Sequence, residues 1–142
     1  MLKIIPLFFL LSVFTIQAEE LIAFKNKNNI YFIFDNGANT PEKNYPYVFV
    51  MGSCLQKSNI CPIVIDQNGD VVDTLLSLAN FDMSHSKVVK IPRFSAYGSK
   101  VDLDWIKKWH KLKQGEYKIK FRYMDWKTNK HIDSNFVSFK ID

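Results

Sequence analysis

The stretch Glu-Tyr-Lys-Ile-Lys-Phe-Arg-Tyr, residues 116–123, alternates strictly between polar and apolar side chains. Side chains on a β-strand point to opposite faces in turn, so this period of two is typical of a half-buried strand. A polar turn follows at residues 127–130, and the chain returns through residues 132–141 with Val137, Phe139 and Ile141 on one face. The two segments predict an antiparallel hairpin that closes the domain.

Upstream of this hairpin the sequence holds further short apolar runs typical of strands, at residues 21–24, 29–35, 45–51, 61–66, 71–72 and 87–92. Residues 66–70 read Asp-Gln-Asn-Gly-Asp, and an Asn-Gly pair between two apolar runs indicates a tight hairpin turn. We therefore expect a single, mostly antiparallel β domain with no internal repeat.

One segment breaks the strand pattern. Across residues 104–112, Trp105, Trp109 and Leu112 recur at helical spacing, Asp104 is suited to cap the start, and Gly115 follows the end. This predicts one or two helical turns between two strands.

The residues Leu112, Gly115 and Tyr117 form an L-x-x-G-x-Y arrangement at the start of the alternating strand. It resembles the tyrosine corner of immunoglobulin-like and fibronectin-type sandwiches, in which the tyrosine hydroxyl bonds back to the preceding connection. The resemblance implies an all-β, antiparallel immunoglobulin-like sandwich of about seven strands, with the helical turn before the penultimate strand. Another antiparallel sandwich or a small barrel is the alternative, and a fold of this kind does not specify a function.

Residues 1–18 are typical of a cleavable secretory signal peptide. Lys3 gives a positive start, residues 4–14 are almost entirely apolar, and Ala18 is the small residue before an expected cut. The apolar run is shorter than the roughly 20 residues that span a bilayer, which disfavours the alternative of a retained anchor. We expect a secreted or periplasmic protein without stable membrane insertion, whose single domain occupies residues 19–142.

Cys54 and Cys61 are the two cysteines of the chain. In an exported protein this even count predicts a disulfide, which would close a small local loop. The pair lies too close in sequence to bridge two sheets as in true immunoglobulin domains. A redox-active pair is the alternative, but the spacing is not C-x-x-C, and no histidine lies near enough in sequence to favour a metal site.

No catalytic or cofactor signature is present in the sequence. Ser84-His85-Ser86 lacks a nucleophile-elbow motif, and His85, His110 and His131 are widely separated and expected on the surface. The loop at residues 66–70 lacks the glutamate that ends a calcium-binding loop. We predict no catalytic residues, no metal and no cofactor.

Basic and aromatic residues are the candidate binding groups. The chain has a net charge of +5, and its basic residues concentrate before and along the alternating strand. These candidates are Lys107, Lys108, Lys111, Lys118, Lys120 and Arg122, with Trp105 and Trp126 as aromatic anchors that we expect to be exposed. They favour an acidic partner, whether an exported or envelope protein, a polysaccharide or a lipid headgroup, while export disfavours nucleic acid. An ordinary solvated strand face is the alternative.

These features together indicate an exported, non-enzymatic binding protein that recognises another macromolecule. An inhibitor or immunity-type protein, which neutralises an exported enzyme or toxin, is the sharpest version of this hypothesis. A carbohydrate-binding module that uses exposed tryptophans, or a small secreted hydrolase of unrecognised type, is the alternative.

Overall fold

A computed structural model describes residues 21–36, 43–47, 60–73, 87–125 and 129–142 of the chain. The strands are β1 (Leu21–Asn26), β2 (Asn29–Asn36), β3 (Lys43–Tyr47), β4 (Ile60–Ile65), β5 (Val71–Val72), β6 (Lys87–Ile91), β7 (Ser95–Asp102), β8 (Gly115–Asp125), β9 (Lys130–Asp133) and β10 (Val137–Ile141). One helix, α1 (Leu103–Trp109), joins β7 to β8. The predicted signal peptide lies outside the described residues.

Sheet 1 consists of three antiparallel strands in the order β1-β2-β7. The central strand β2 alternates between buried and half-buried side chains along its whole length. Its buried residues include Ile30, Phe32 and Phe34, which point towards the core, while Tyr31 and Ile33 lie on the outer face. Burial on one face thus follows the period of two that a strand imposes.

Sheet 2 has the order β10-β8-β4-β5, and β9 also pairs with β8. The alternating stretch forms β8, with Ile119, Phe121 and Tyr123 buried. Strands β3 and β6 pair with each other as a separate two-stranded ribbon. All strand pairs are antiparallel in the described residues.

The core lies between sheets 1 and 2. Phe32 of sheet 1 meets Phe121 of sheet 2 with ring centroids 4.8 Å apart, and Phe34 meets the edge of Tyr123 at 5.4 Å. The prediction of an all-β, antiparallel sandwich is therefore confirmed. The described residues form ten strands rather than the roughly seven expected. Eight lie in the two sheets, where β5 and β9 are short additions of two and four residues, and β3 and β6 form the separate ribbon.

The predicted helical segment is also confirmed, with shifted ends. Helix α1 starts at Leu103, and Asp102 rather than Asp104 caps it, since the Asp102 carboxylate accepts the Asp104 N–H at 2.8 Å. The helix ends at Trp109, and its buried residues are Leu103 and Ile106. No helix in the described part of the chain is long and apolar enough to cross a membrane.

The return segment predicted as one strand is divided in two. Strands β9 and β10 pair with successive parts of β8, and residues 134–136 interrupt them. The Ser134 hydroxyl accepts the Phe121 N–H at 2.9 Å, and the Asn135 side chain turns to β1, where it accepts the Ala23 N–H at 2.8 Å and donates to the Ala23 carbonyl at 2.9 Å. Asn135 thereby links the edge of sheet 1 to sheet 2.

Candidate binding surfaces

Four exposed lysines occupy the end of α1 and the connection to β8, at positions 107, 108, 111 and 113; we call this the basic turn. Backbone bonds hold it, from Leu112 N–H to the Lys107 carbonyl at 3.0 Å and from His110 N–H to the Ile106 carbonyl at 3.0 Å. No ion pair to these lysines is found among the described residues. The basic turn therefore exposes four positive charges to solvent on a backbone that hydrogen bonds hold in place.

The residues of the L-x-x-G-x-Y arrangement support this turn from its far end. Leu112 is buried, Gly115 has a φ of +157°, and the Tyr117 hydroxyl donates to the Lys113 carbonyl at 3.1 Å. The hydrogen bond fixes the backbone of a lysine within the basic turn. The likeness to the immunoglobulin-type family itself stays an expectation.

Trp105 is half-buried rather than fully exposed. It packs against the core, and its ring lies 3.6 Å from that of Trp109 between centroids. One part of the Trp105 side chain therefore packs inside the protein, and another part is accessible to solvent. Trp126, the other predicted aromatic anchor, lies outside the described residues.

Along the outer face of β8, Lys118, Lys120 and Arg122 lie in the predicted row, but their charges are not equally available. Asp133 of β9 accepts hydrogen bonds from Lys120 Nζ at 2.6 Å and from Arg122 Nε and Nη2 at 2.6 and 2.7 Å. These bonds hold the pKa of Asp133 well below its usual range and raise the pKa of Arg122. Of the three cations, Lys118 is the exposed one.

Sequence reasoning missed Asp133, because its position opposite Arg122 depends on the register of the β8–β9 hairpin. Asp133 lies in the return segment, directly opposite Arg122 in the register of the hairpin. It therefore places a carboxylate next to the basic side chains of β8. Lys120 has a second contact that the sequence did not indicate, because its Nζ lies 5.1 Å from the centroid of the exposed Phe136 ring.

A cleft of about 650 Å³ crosses one end of the outer face of sheet 2. Its walls include Asn68 in the β4–β5 turn, Lys118 on β8 and Lys140 on β10. Asp66 fixes the turn, since its Oδ1 accepts the N–H of Asn68 at 2.8 Å and that of Asp70 at 3.0 Å. The cleft therefore offers amides, ammonium groups and the carboxylates of Asp66 and Glu116 on a rigid frame, a set suited to hydrogen-bonding a polar ligand.

The histidines do not come together in the described residues. His110 is buried, so the expectation that it lies on the surface is wrong; its Nδ1 lies 3.2 Å from the Val72 carbonyl, and burial lowers its pKa. Its placement follows from the helix end, which turns the side chain inward towards β5. His131 is exposed, and His85 lies outside the described residues. The described residues hold no group of three or more potential metal ligands.

Cys61 is fully buried in β4, and its sulfur lies 3.7 Å from the Arg122 carbonyl oxygen. Cys54, its predicted partner, lies outside the described residues, so the pairing of the two cysteines stays a prediction.

Comparison of the chain with protein-family models, with curated proteins and with solved structures yields no match.

Proposed function

We propose that this chain is an exported, non-enzymatic binding protein that recognises an acidic surface on another protein through the basic turn. The observation that carries the proposal is the presence of four exposed lysines within seven consecutive positions, on a connection held by backbone hydrogen bonds and by the Tyr117 hydroxyl. Fixed charges of one sign attract an oppositely charged partner and accelerate its association.

The backbone of the basic turn loses little entropy on binding. This backbone is already ordered, so an acidic partner restricts only the lysine side chains and gains the electrostatic attraction of several cations. The outer face of β8 contributes less, because Asp133 already neutralises part of the charge of Lys120 and Arg122. An inhibitor or immunity-type role, in which the partner is an exported enzyme or toxin, fits this arrangement.

The test uses capture from the exported fraction of the producing cells, followed by titration of the purified partner. We expect one stoichiometric acidic protein, and Lys107→Glu combined with Lys111→Glu should weaken its binding by about tenfold or more at low ionic strength. The matched control is Lys25→Glu with Lys100→Glu, which changes the net charge equally at exposed sites on sheet 1. Equal losses in both pairs, or recovery of a small ligand in place of a protein, would contradict the proposal.

The second candidate function is carbohydrate binding, and the cleft on sheet 2 is the observation that favours it. Amide and ammonium groups such as those of Asn68 and Lys118 can hydrogen-bond sugar hydroxyls. Titration with soluble polysaccharides would then change the tryptophan fluorescence, and Lys118→Ala, Trp105→Ala or Trp126→Ala should reduce the response. An unchanged spectrum across neutral and anionic polysaccharides would leave protein recognition as the better account.

A further inference from the structure

The turn between β6 and β7 holds a phenylalanine in an unusual conformation. Phe94 has a φ of +58°, in the left-handed region that glycine and asparagine adopt readily and aromatic residues disfavour. Its side chain is 77% exposed, the largest exposure among the large apolar residues of the described chain. The side chain of Phe94 therefore adds little to the stability of the fold, while its backbone conformation lowers that stability.

Buried hydrogen bonds hold the turn in this shape. The Asn36 side chain is 1% exposed, and its Nδ2 donates to the carbonyls of Ile91 at 2.8 Å and Pro92 at 3.0 Å. The Asn36 carbonyl accepts the Phe94 N–H at 3.0 Å, and the Ser95 hydroxyl donates to the Pro92 carbonyl at 2.7 Å. Phe94 thus lies on a rigid turn. Because the backbone of this turn is already ordered, binding a partner there would cost little backbone entropy.

The surroundings of Phe94 indicate the chemistry of a partner. Arg93 and Lys90 are exposed beside it in sequence, and they outnumber the one acid of the paired strand, the half-buried Asp35 opposite Ala96. Tyr97, which follows in β7, is 39% exposed and adds aromatic surface. An apolar ring flanked by cations fits an apolar pocket with an acidic rim, and aromatic and arginine side chains are the usual anchors of protein interfaces.

This turn is distant from the basic turn. Phe94 precedes β7, whereas α1 follows β7, and the eight residues of strand between them place Phe94 about 30 Å from the start of α1. A second copy of this chain is a poor recipient for the ring. The cavity on the outer face of sheet 1 is lined by Lys100, which would repel Arg93. In the cleft on sheet 2, Lys118 and Lys140 balance the two acids Asp66 and Glu116, so that its rim is not acidic overall.

We propose that Phe94 and Arg93 form a second protein-binding surface, at the opposite end of the sandwich from the basic turn. Its partner is a different protein that offers an apolar pocket with an acidic rim. A contact of the Phe94 side chain with another protein would account for the strained backbone at this exposed aromatic residue.

The experiment places the photoreactive residue p-benzoylphenylalanine at position 94 in the producing cells. The matched control carries it at Val71, which is 65% exposed in the β4–β5 hairpin. We expect one discrete adduct with another protein at position 94 and not at position 71. That protein, once purified, should bind the unmodified chain, and Phe94→Asn should weaken binding by about thirtyfold or more.

Phe94→Asn also separates binding from folding. Asparagine tolerates the left-handed conformation, so its urea midpoint of unfolding should equal or exceed that of the unmodified chain while binding is lost. Arg93→Glu should weaken binding as well, because it would repel an acidic rim. No adduct, an adduct between two copies of this chain, or full affinity of Phe94→Asn would overturn the proposal. The Lys107→Glu, Lys111→Glu variant alters the other end of the sandwich, so either proposal can fail without the other.

Discussion

At the scale of single residues, Asp133 decides how much of the basic row on β8 is available to a partner. Its carboxylate engages both Lys120 and Arg122, with a two-pronged contact to the guanidinium. Paired hydrogen bonds of this kind are stronger than single contacts between exposed charges. The hydrogen bonds to Asp133 therefore hold the side chains of Lys120 and Arg122 in place on the outer face of sheet 2.

Asp133→Asn should lower the free energy of unfolding by about 1 kcal/mol, because it removes a charged acceptor from a partly exposed cluster. The folded pKa of Asp133 is lowered from its ordinary 3.8, so its contribution is present above that pH and is lost as the pH falls below it. Urea unfolding at pH 7 and pH 3 measures both effects. The variant should differ from the unmodified chain at pH 7 and approach it at pH 3; a constant difference would contradict this account.

The sequence correctly predicted which residues form the basic row on β8, but it did not predict that Asp133 pairs with two of them. Alternation along residues 116–123 is a local pattern, and it placed Lys118, Lys120 and Arg122 on one face of a strand. The position of Asp133 depends on the register between β8 and β9, which the turn sets. Likewise Phe94 gave no signal, since a φ angle depends on hydrogen bonds to Asn36, far away in the sequence.

At the scale of elements, the interruption between β9 and β10 joins the two sheets. Asn135 supplies to Ala23 the donor and acceptor that a neighbouring strand would otherwise provide. Ala23 is buried, so its backbone groups need partners inside the protein. A side-chain amide replaces a strand at this point of the β1 edge.

Asn135→Ala should lower the free energy of unfolding by about 1–3 kcal/mol, since it leaves a buried N–H and C=O without these bonds. Ser138→Ala, at an exposed site on β10, is the matched control and should change stability by less than about 0.5 kcal/mol. Equilibrium unfolding in urea compares the two variants. Equal stabilities would show that water replaces the amide without cost.

The prediction of one strand over residues 132–141 failed at this point for a physical reason. Asparagine favours turns, but whether it ends a strand here depends on a contact with β1, 112 positions earlier. Helix α1 was easier to predict, because tryptophans at helical spacing and a nearby aspartate are local signals. Its cap differed by two residues, as Asp102 and Asp104 are both suited to the role.

At the scale of the whole molecule, His110 connects the end of α1 to the end of β5. It is buried, its Nδ1 contacts the Val72 carbonyl, and its Nε2 has no hydrogen-bond partner among the described residues. Burial disfavours the imidazolium and lowers its pKa. The stability of the sandwich therefore depends on pH through this side chain as well as through Asp133.

Stability should fall as the pH decreases below 6.5, the ordinary pKa of histidine, because the unfolded chain then binds a proton that the folded chain excludes until its lowered pKa is reached. For a single proton this slope cannot exceed about 1.4 kcal/mol per pH unit. Urea unfolding between pH 8 and pH 5 measures it. His110→Gln should flatten this dependence, and His131→Gln, at an exposed site, should not; equal slopes in all three chains would exclude His110 as the cause.

The sandwich architecture was predictable because alternation and turn residues recur throughout the chain. The partition of strands between two sheets was not, since it depends on which apolar faces meet across the core, as Phe32 and Phe121 do. Sequence patterns define strands individually, whereas sheet order is a property of long-range packing.

The bond between Asn135 and Ala23 has a kinetic consequence. It joins residues 112 positions apart, so β1 cannot complete its hydrogen bonding until the region after β9 has been synthesised and has reached it. Closing so long a loop is entropically slow, and contacts of high sequence separation delay folding. A nascent chain that ends before residue 135 would thus lack the two bonds at the β1 edge as well as strand β10 of sheet 2, a state that unfolds more easily than the full chain and is easier to thread through a narrow passage.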